Sequence, residues 1–190
     1  TDIKQCPKQL DLAIIATTAN SRPEVVQEIA QHSKVRHWIL EKVLAQNTQG
    51  LEEIQLHVGS DTLAWVNTPR RIIPWHQVIK EQLHLQAPLH LTVTGGPWGL
   101  ACNAVHLLDL MAWWSGESLV ALCTDQLDDS WFAAKRAGMW EIYGTLSATF
   151  SGGTTAKLTS SSSDVPNFFI ELTDGKGTWR VDEANGTAVH

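Results

Sequence analysis

Cysteine is scarce in this chain: Cys6, Cys102 and Cys123 are odd in number, far apart, and never in CxxC spacing. That pattern argues against a disulfide framework or a zinc site and fits the reduced cysteines of a cytosolic protein, so no metal is expected. Basic residues are also few, 14 Lys and Arg against 20 Asp and Glu, for a net charge of -6. A surface that tracks phosphates needs clustered cations, so nucleic acid is not expected as a partner. Long apolar runs are missing too. The longest, at 10–19 and 107–114, fall short of the roughly 20 residues that cross a bilayer, and no charged and apolar leader opens the chain. Neither membrane nor export is indicated, and a cytoplasmic location is expected. The one low-complexity stretch, SSSSD at 160–164, reads as a loop, and there is no internal repeat.

What is present is enough apolar residue, 43% of 190, to bury a core. Residues 10–16 form a short continuous apolar run, the pattern of a strand covered on both faces and central in a parallel sheet. Ser21 and Glu24 then make a capping box with Pro23 in the first turn, which predicts a helix over 22–31. VRHWILEK returns as a second strand, Asn47 or Thr48 caps a second helix with Glu52 and Glu53 in its first turn, and TLAWVN is a third strand. This β-α-β-α-β order predicts a doubly wound parallel sheet, which binds ligands beyond the carboxyl ends of its strands. Those ends are residues 17–20, Glu41 with Lys42, and 67–71.

From Pro74 the pattern changes. Helices are expected at 75–83 and 100–114, strands at LHLTVTGG and 119–124, and beyond Trp140 the chain becomes strand-rich. WEIYGTLSATF and TTAKLTS alternate around a Gly-Gly turn, and FFIELT and TWRVD flank DGKG. This half reads as an α+β domain with a largely antiparallel open sheet, cut short at its C-terminus because no closing helix follows. The expected domains are 1–72 and 73–190.

Within the second half, GGPWGLACNAVHLLDLMAWW puts Cys102, His106 and Asp109 at i, i+4 and i+7, on one helix face. Two readings stand: a reaction site, or a core helix whose polar groups are held by backbone partners. GGPWG lacks the Lys-Ser/Thr of a phosphate loop and serves as a tight turn. Packing accounts for most of the nine tryptophans, and Trp98 is the one placed for sugar stacking.

Five segments in order, DLAIIATTANSRPEVV, WILEKVL, WVNTPRRIIPWHQVIK, WGLACNAVHLLDL and KRAGMWEIYGTLSATFSGG, resemble the Gfo/Idh/MocA family of NAD(P)-dependent oxidoreductases. The resemblance implies a Rossmann domain followed by an α/β domain whose open sheet carries a homo-oligomer contact. It also implies hydride transfer between NAD(P) and a carbinol of a sugar, sugar nucleotide or cyclitol. The departures matter as much. No GxGxxG loop is present, and the first strand matches the family's fourth, so the chain reads as a fragment lacking the N-terminal half of the Rossmann domain. NAD or NADP is the expected cofactor of the parent protein, with no tight binding by the fragment itself.

By the same resemblance, Thr17, Thr18, Asn20, Glu41, Lys42 and Arg71 contact the cofactor. His106 and Asp109 contact the substrate, and Lys42 and His106 are catalytic; Asn103 beside His106 and Trp98 at the turn are substrate-contact candidates from their own chemistry and position. An ammonium beside the carbinol steadies a developing alkoxide, and an imidazole takes the hydroxyl proton. Val43 replaces the proline of the family's Glu-Lys-Pro, and Cys102 replaces the aspartate that partners its histidine. A thiol cannot orient an imidazolium as a carboxylate does. Plainer readings remain beside these: a strand-end Glu-Lys pair in solvent, a helix-capping loop at 17–20, and surface arginines paired with acids. A non-catalytic relative that binds a ligand or mediates oligomers is the alternative function.

Overall fold

The computed structural model describes residues 2–163 and 168–190. Of the predicted SSSSD loop, Asp164 lies outside the described residues, while Ser160 ends a strand. The chain divides into two compact units, Thr1–Thr68 and Pro69–His190.

The first unit runs β1 (Gln9–Ile15), α1 (Arg22–His32), β2 (Lys34–Glu41), α2 (Thr48–Val58) and β3 (Leu63–Asn67), after a 3₁₀ turn at Ile3–Gln5. The strands form a parallel sheet in the order β1-β2-β3, with Ile15 opposite Leu40 and Glu41 opposite Asn67. Because strand side chains alternate, Ala13, Ile15, Trp38 and Leu40 turn to one face, where Val26 of α1 and Ile54 of α2 complete the core. Burial of a side chain such as Ile15, Leu40, Val26 or Ile54 contributes about 2 kcal/mol. The middle strand is therefore β2, not β1 as the apolar run predicted. Leu12 and Ile14 on the other face are 47% and 64% exposed, since both helices pack on one side.

Two end signals also resolve differently from expectation. Ser21 precedes α1 in a helical conformation and makes no side-chain cap. Its hydroxyl donates instead to Thr18 O at 3.3 Å, so the capping box does not form. Asn47 does cap α2, its Oδ1 accepting from Gly50 N at 2.8 Å. With the helix starting at Thr48, Glu52 and Glu53 fall in its second turn.

The second unit opens on a 3₁₀ turn at Pro69–Ile72. It continues through α3 (Pro74–Gln82), β4 (His90–Gly95), α4 (Leu100–Ser115), β5 (Leu119–Ala133), β6 (Trp140–Phe150), β7 (Thr155–Ser160), β8 (Phe169–Thr173), β9 (Thr178–Asp182) and β10 (Thr187–Val189). One sheet holds all seven strands in the order β10-β9-β8-β4-β7-β6-β5, antiparallel except for the β4–β7 pair. The apolar face of α4 (Leu100, Ala104, Leu107, Leu110, Met111, Trp114) shares one core with Leu91, Val93, Leu158, Ile170 and Leu172 of the sheet. β5 runs well past the predicted 119–124 segment, because its continuation TDQLDDS is polar and bulged on an exposed edge where apolar alternation is not needed. No helix among the described residues is long and apolar enough to cross a membrane.

Candidate functional site

At the carboxyl end of the first sheet, three strand ends present the predicted rim. The loop after β1 folds on itself: Thr18 Oγ1 donates to Asn20 Oδ1 at 2.5 Å, and Thr18 O accepts from Ser21 N and Arg22 N at 3.2 and 3.1 Å. Thr17 differs from its neighbours. Its Oγ1 is buried and has no hydrogen-bond partner among the described residues, which marks an unmet polar group on this rim. At the end of β2, Glu41 Oε1 accepts from Lys42 N at 3.1 Å and its Oε2 accepts from Asn67 Nδ2 at 2.8 Å. The carboxylate thus ties the end of β2 to the end of β3 and holds the backbone of Lys42. The Lys42–Val43 peptide is cis, and Lys42 is half-buried.

Arg22 was not anticipated as part of this rim. Its side chain is 1% exposed and donates from Nη1 to Val43 O and, at 2.8 Å, to Leu44 O, and from Nη2 to Thr17 O. Burial pushes its pKa down, and the charge of Glu41 opposes that shift. One signal in the sequence does point to it: a cation in the first turn of a helix opposes the macrodipole, so other contacts must offset that cost.

In the second unit, α4 buries one face and leaves Cys102, His106 and Asp109 on its other flank, with Cys102 exposed and His106 and Asp109 half-buried. The shared face expected from their spacing is present, and it is not the core face. Asp109 is held by Arg71, whose Nε donates to Oδ2 at 2.7 Å while Nη2 donates to Oδ1. The structure thus joins a residue expected at the cofactor to one expected at the substrate. Beside them Lys80 donates to Trp113 O at 2.6 Å and lies 4.2 Å from the Trp113 ring centroid. Burial, then the charge of Arg71, pushes its pKa down.

Trp98 and Asn103 are also brought together: Asn103 Nδ2 donates to Trp98 O at 2.8 Å, and the Trp98 indole donates to Thr159 O at 2.8 Å. The Trp98 ring meets Phe168 edge-on at 5.3 Å, so its anchoring is structural at both ends. The N-terminus of α4 is occupied by a side chain that sequence reasoning passed over. Glu141 of β6 accepts from Ala101 N at 2.9 Å and Cys102 N at 3.3 Å, which meets two orphan helix donors and complements the dipole. Its position inside WEIYG, a carboxylate beginning an otherwise apolar strand, was the available sign. Among the described residues, no group of three or more His, Cys, Asp or Glu side chains is placed to hold a metal ion.

No family model matches the chain, and no curated protein matches it. Solved structures do share its fold. A dehydrogenase (MviM) from Clostridium difficile superposes with a TM-score of 0.67 at 14% identity, over 98% of this chain and 63% of its own. UDP-N-acetylglucosamine 3-dehydrogenase GnnA from Acidithiobacillus ferrooxidans gives 0.71 at 18% identity, over 94% and 59%. A myo-inositol dehydrogenase from Lactobacillus casei, solved with NAD(H) and myo-inositol, gives 0.67 at 18% identity, over 94% and 56%. The chain has the α/β fold of these dehydrogenases and spans 56% to 63% of their lengths.

Proposed function

We propose that this chain belongs to an NAD(P)-dependent oxidoreductase of the Gfo/Idh/MocA type, which moves a hydride between the cofactor and a carbinol of a sugar, sugar nucleotide or cyclitol. One observation carries the reading most: at the carboxyl end of a parallel sheet, in a fold shared with sugar dehydrogenases, Glu41 holds Lys42 and Asn67 at adjoining strand ends.

The rim suits a nicotinamide cofactor. The buried hydroxyl of Thr17, without a hydrogen-bond partner among the described residues, supplies a polar group still to be met, and Thr18, Asn20, Glu41 and Lys42 add polar groups at the ends of β1 and β2. By the family resemblance alone, Arg71 is a further cofactor contact. When bound, NAD(P) supplies the hydride acceptor. Lys42 steadies the carbinol oxygen as it gains charge, and His106 receives the hydroxyl proton. Asp109, with both oxygens on Arg71, fixes the segment after β3 to α4 and so sets the helix on which His106 and Asn103 stand. Trp98 and Asn103 border the substrate side. No strand-to-helix loop of the first unit carries the glycine pattern of a pyrophosphate cradle, so tight dinucleotide binding is not expected of this chain alone. The same reading places the protein in the cytoplasm, with a second copy meeting the open face of its seven-stranded sheet.

The test is turnover. The complete gene product, offered NAD+ and NADP+ with sugars, UDP-sugars and cyclitols, reduces one nicotinamide, and Lys42→Met lowers kcat by about 10²- to 10⁴-fold. A non-catalytic, ligand-binding relative is the second reading, favoured by Cys102 in the place of an aspartate. Absence of turnover across the panel, with nucleotide binding lost as well, selects it.

A further inference from the structure

We infer that Arg22 is the positioning residue for Lys42, acting through the turn that follows β2. The role of Lys42 at the reacting carbinol rests on the functional reading above; the geometry of the clamp does not. In a parallel sheet the ladder fixes adjacent strands to each other, and here its last β1–β2 pair is Ile15 with Leu40. Both turns that form the rim begin beyond that pair. Arg22 reaches past it from the first turn of α1 and joins them, with Thr17 O on one side and Val43 O and Leu44 O on the other. Lys42 therefore sits between two restraints: its own N–H is held by Glu41, and the carbonyls just downstream are held by the guanidinium. A rigid planar fork can serve carbonyls in two directions at once. An ammonium on a flexible stem cannot, so the charge alone does not explain a 1% exposed arginine at a helix N-terminus.

The test reads the lysine directly and needs neither cofactor nor substrate. Reductive methylation with ¹³C-formaldehyde labels the lysine amines, and Lys42→Arg assigns the Lys42 resonance. In Arg22→Lys the Lys42 resonance shifts, while amide exchange in β1 and β2 keeps the parental protection. In Arg22→Ala, added methylguanidinium returns the resonance to its parental position. Where the complete protein turns over, Arg22→Lys lowers kcat by about 10- to 100-fold and leaves KM for the substrate near its parental value, as expected of a misplaced group. An unchanged Lys42 resonance in Arg22→Lys overturns the inference. So does loss of β1–β2 protection in that variant, which would make the guanidinium a brace of the sheet and not of the turn. A shifted resonance in a protein without NAD(P)-linked turnover keeps the clamp and removes the redox reading.

Discussion

Glu183 shows how much a single carboxylate can hold. Arg70 grips it with Nε at 2.7 Å and Nη2 at 2.6 Å, and His76 Nε2 lies 3.0 Å from its Oε1, with the imidazole fully buried. Burial alone would push the Glu183 carboxyl up, but the His76 hydrogen bond and the hydrogen bonds and charge of Arg70 outweigh it and lower the pKa to about 2. A depressed carboxylate stabilises the folded state above its unfolded pKa, and that contribution is lost as pH falls from about 4.5 towards 2. Glu183→Gln is expected to cost the second unit on the order of 3 kcal/mol at neutral pH, a deficit that shrinks across that acid window. Urea unfolding at several pH values checks it, and an equal deficit at acid and neutral pH would contradict it. None of this could be read from the sequence, where Arg70 and Glu183 stand 113 residues apart. The same limit applies to Arg71 and Asp109. Each stood out as a candidate by its own surroundings, and only the fold shows that they face each other.

Among the elements, strong local patterns translated well, as did the cap at Asn47, while the Ser21 capping box did not. The i, i+4, i+7 spacing in α4 placed Cys102, His106 and Asp109 on one flank because helical geometry alone decides it. The capping box failed because Ser21 had a closer acceptor in Thr18 O, and the short β10 was missed because three residues carry no readable period. The long β5–β6 pair depends on Gly144 of β6, which has φ +106° and whose Cβ would lie 2.4 Å from Gln126 O and 2.6 Å from Leu127 Cα. Backbone cannot yield as a side chain tip does, so Gly144→Ala is expected to cost on the order of 3 kcal/mol. Gly138 has φ +76° with nothing within 4 Å, so Gly138→Ala should cost only about 1 kcal/mol. Thermal unfolding of the two variants measures the difference, and equal losses would refute the close-approach argument. At the start of α2, Asn47→Ala removes the bond to Gly50 N and should cost about 1 kcal/mol, read as faster amide exchange in the first turn of that helix.

For the whole molecule, composition and periodicity were enough to foretell a parallel β-α-β-α-β unit followed by an α+β domain with a largely antiparallel sheet. What they missed was which strand lies in the middle, because a run apolar on both faces reads alike whether or not both faces are covered. The first unit leaves Leu12, Ile14, Leu63 and Trp65 exposed on the face away from its helices, and the solved dehydrogenases that share the fold are longer than this chain. The functional account therefore stands on the strand-end rim around Lys42. The most direct test of it is a fluorescence titration of the complete gene product with NADH and NADPH. The account predicts a saturable change in nicotinamide emission with one of the two, retained in Lys42→Met while turnover is lost. The absence of saturable binding by either nucleotide would contradict it.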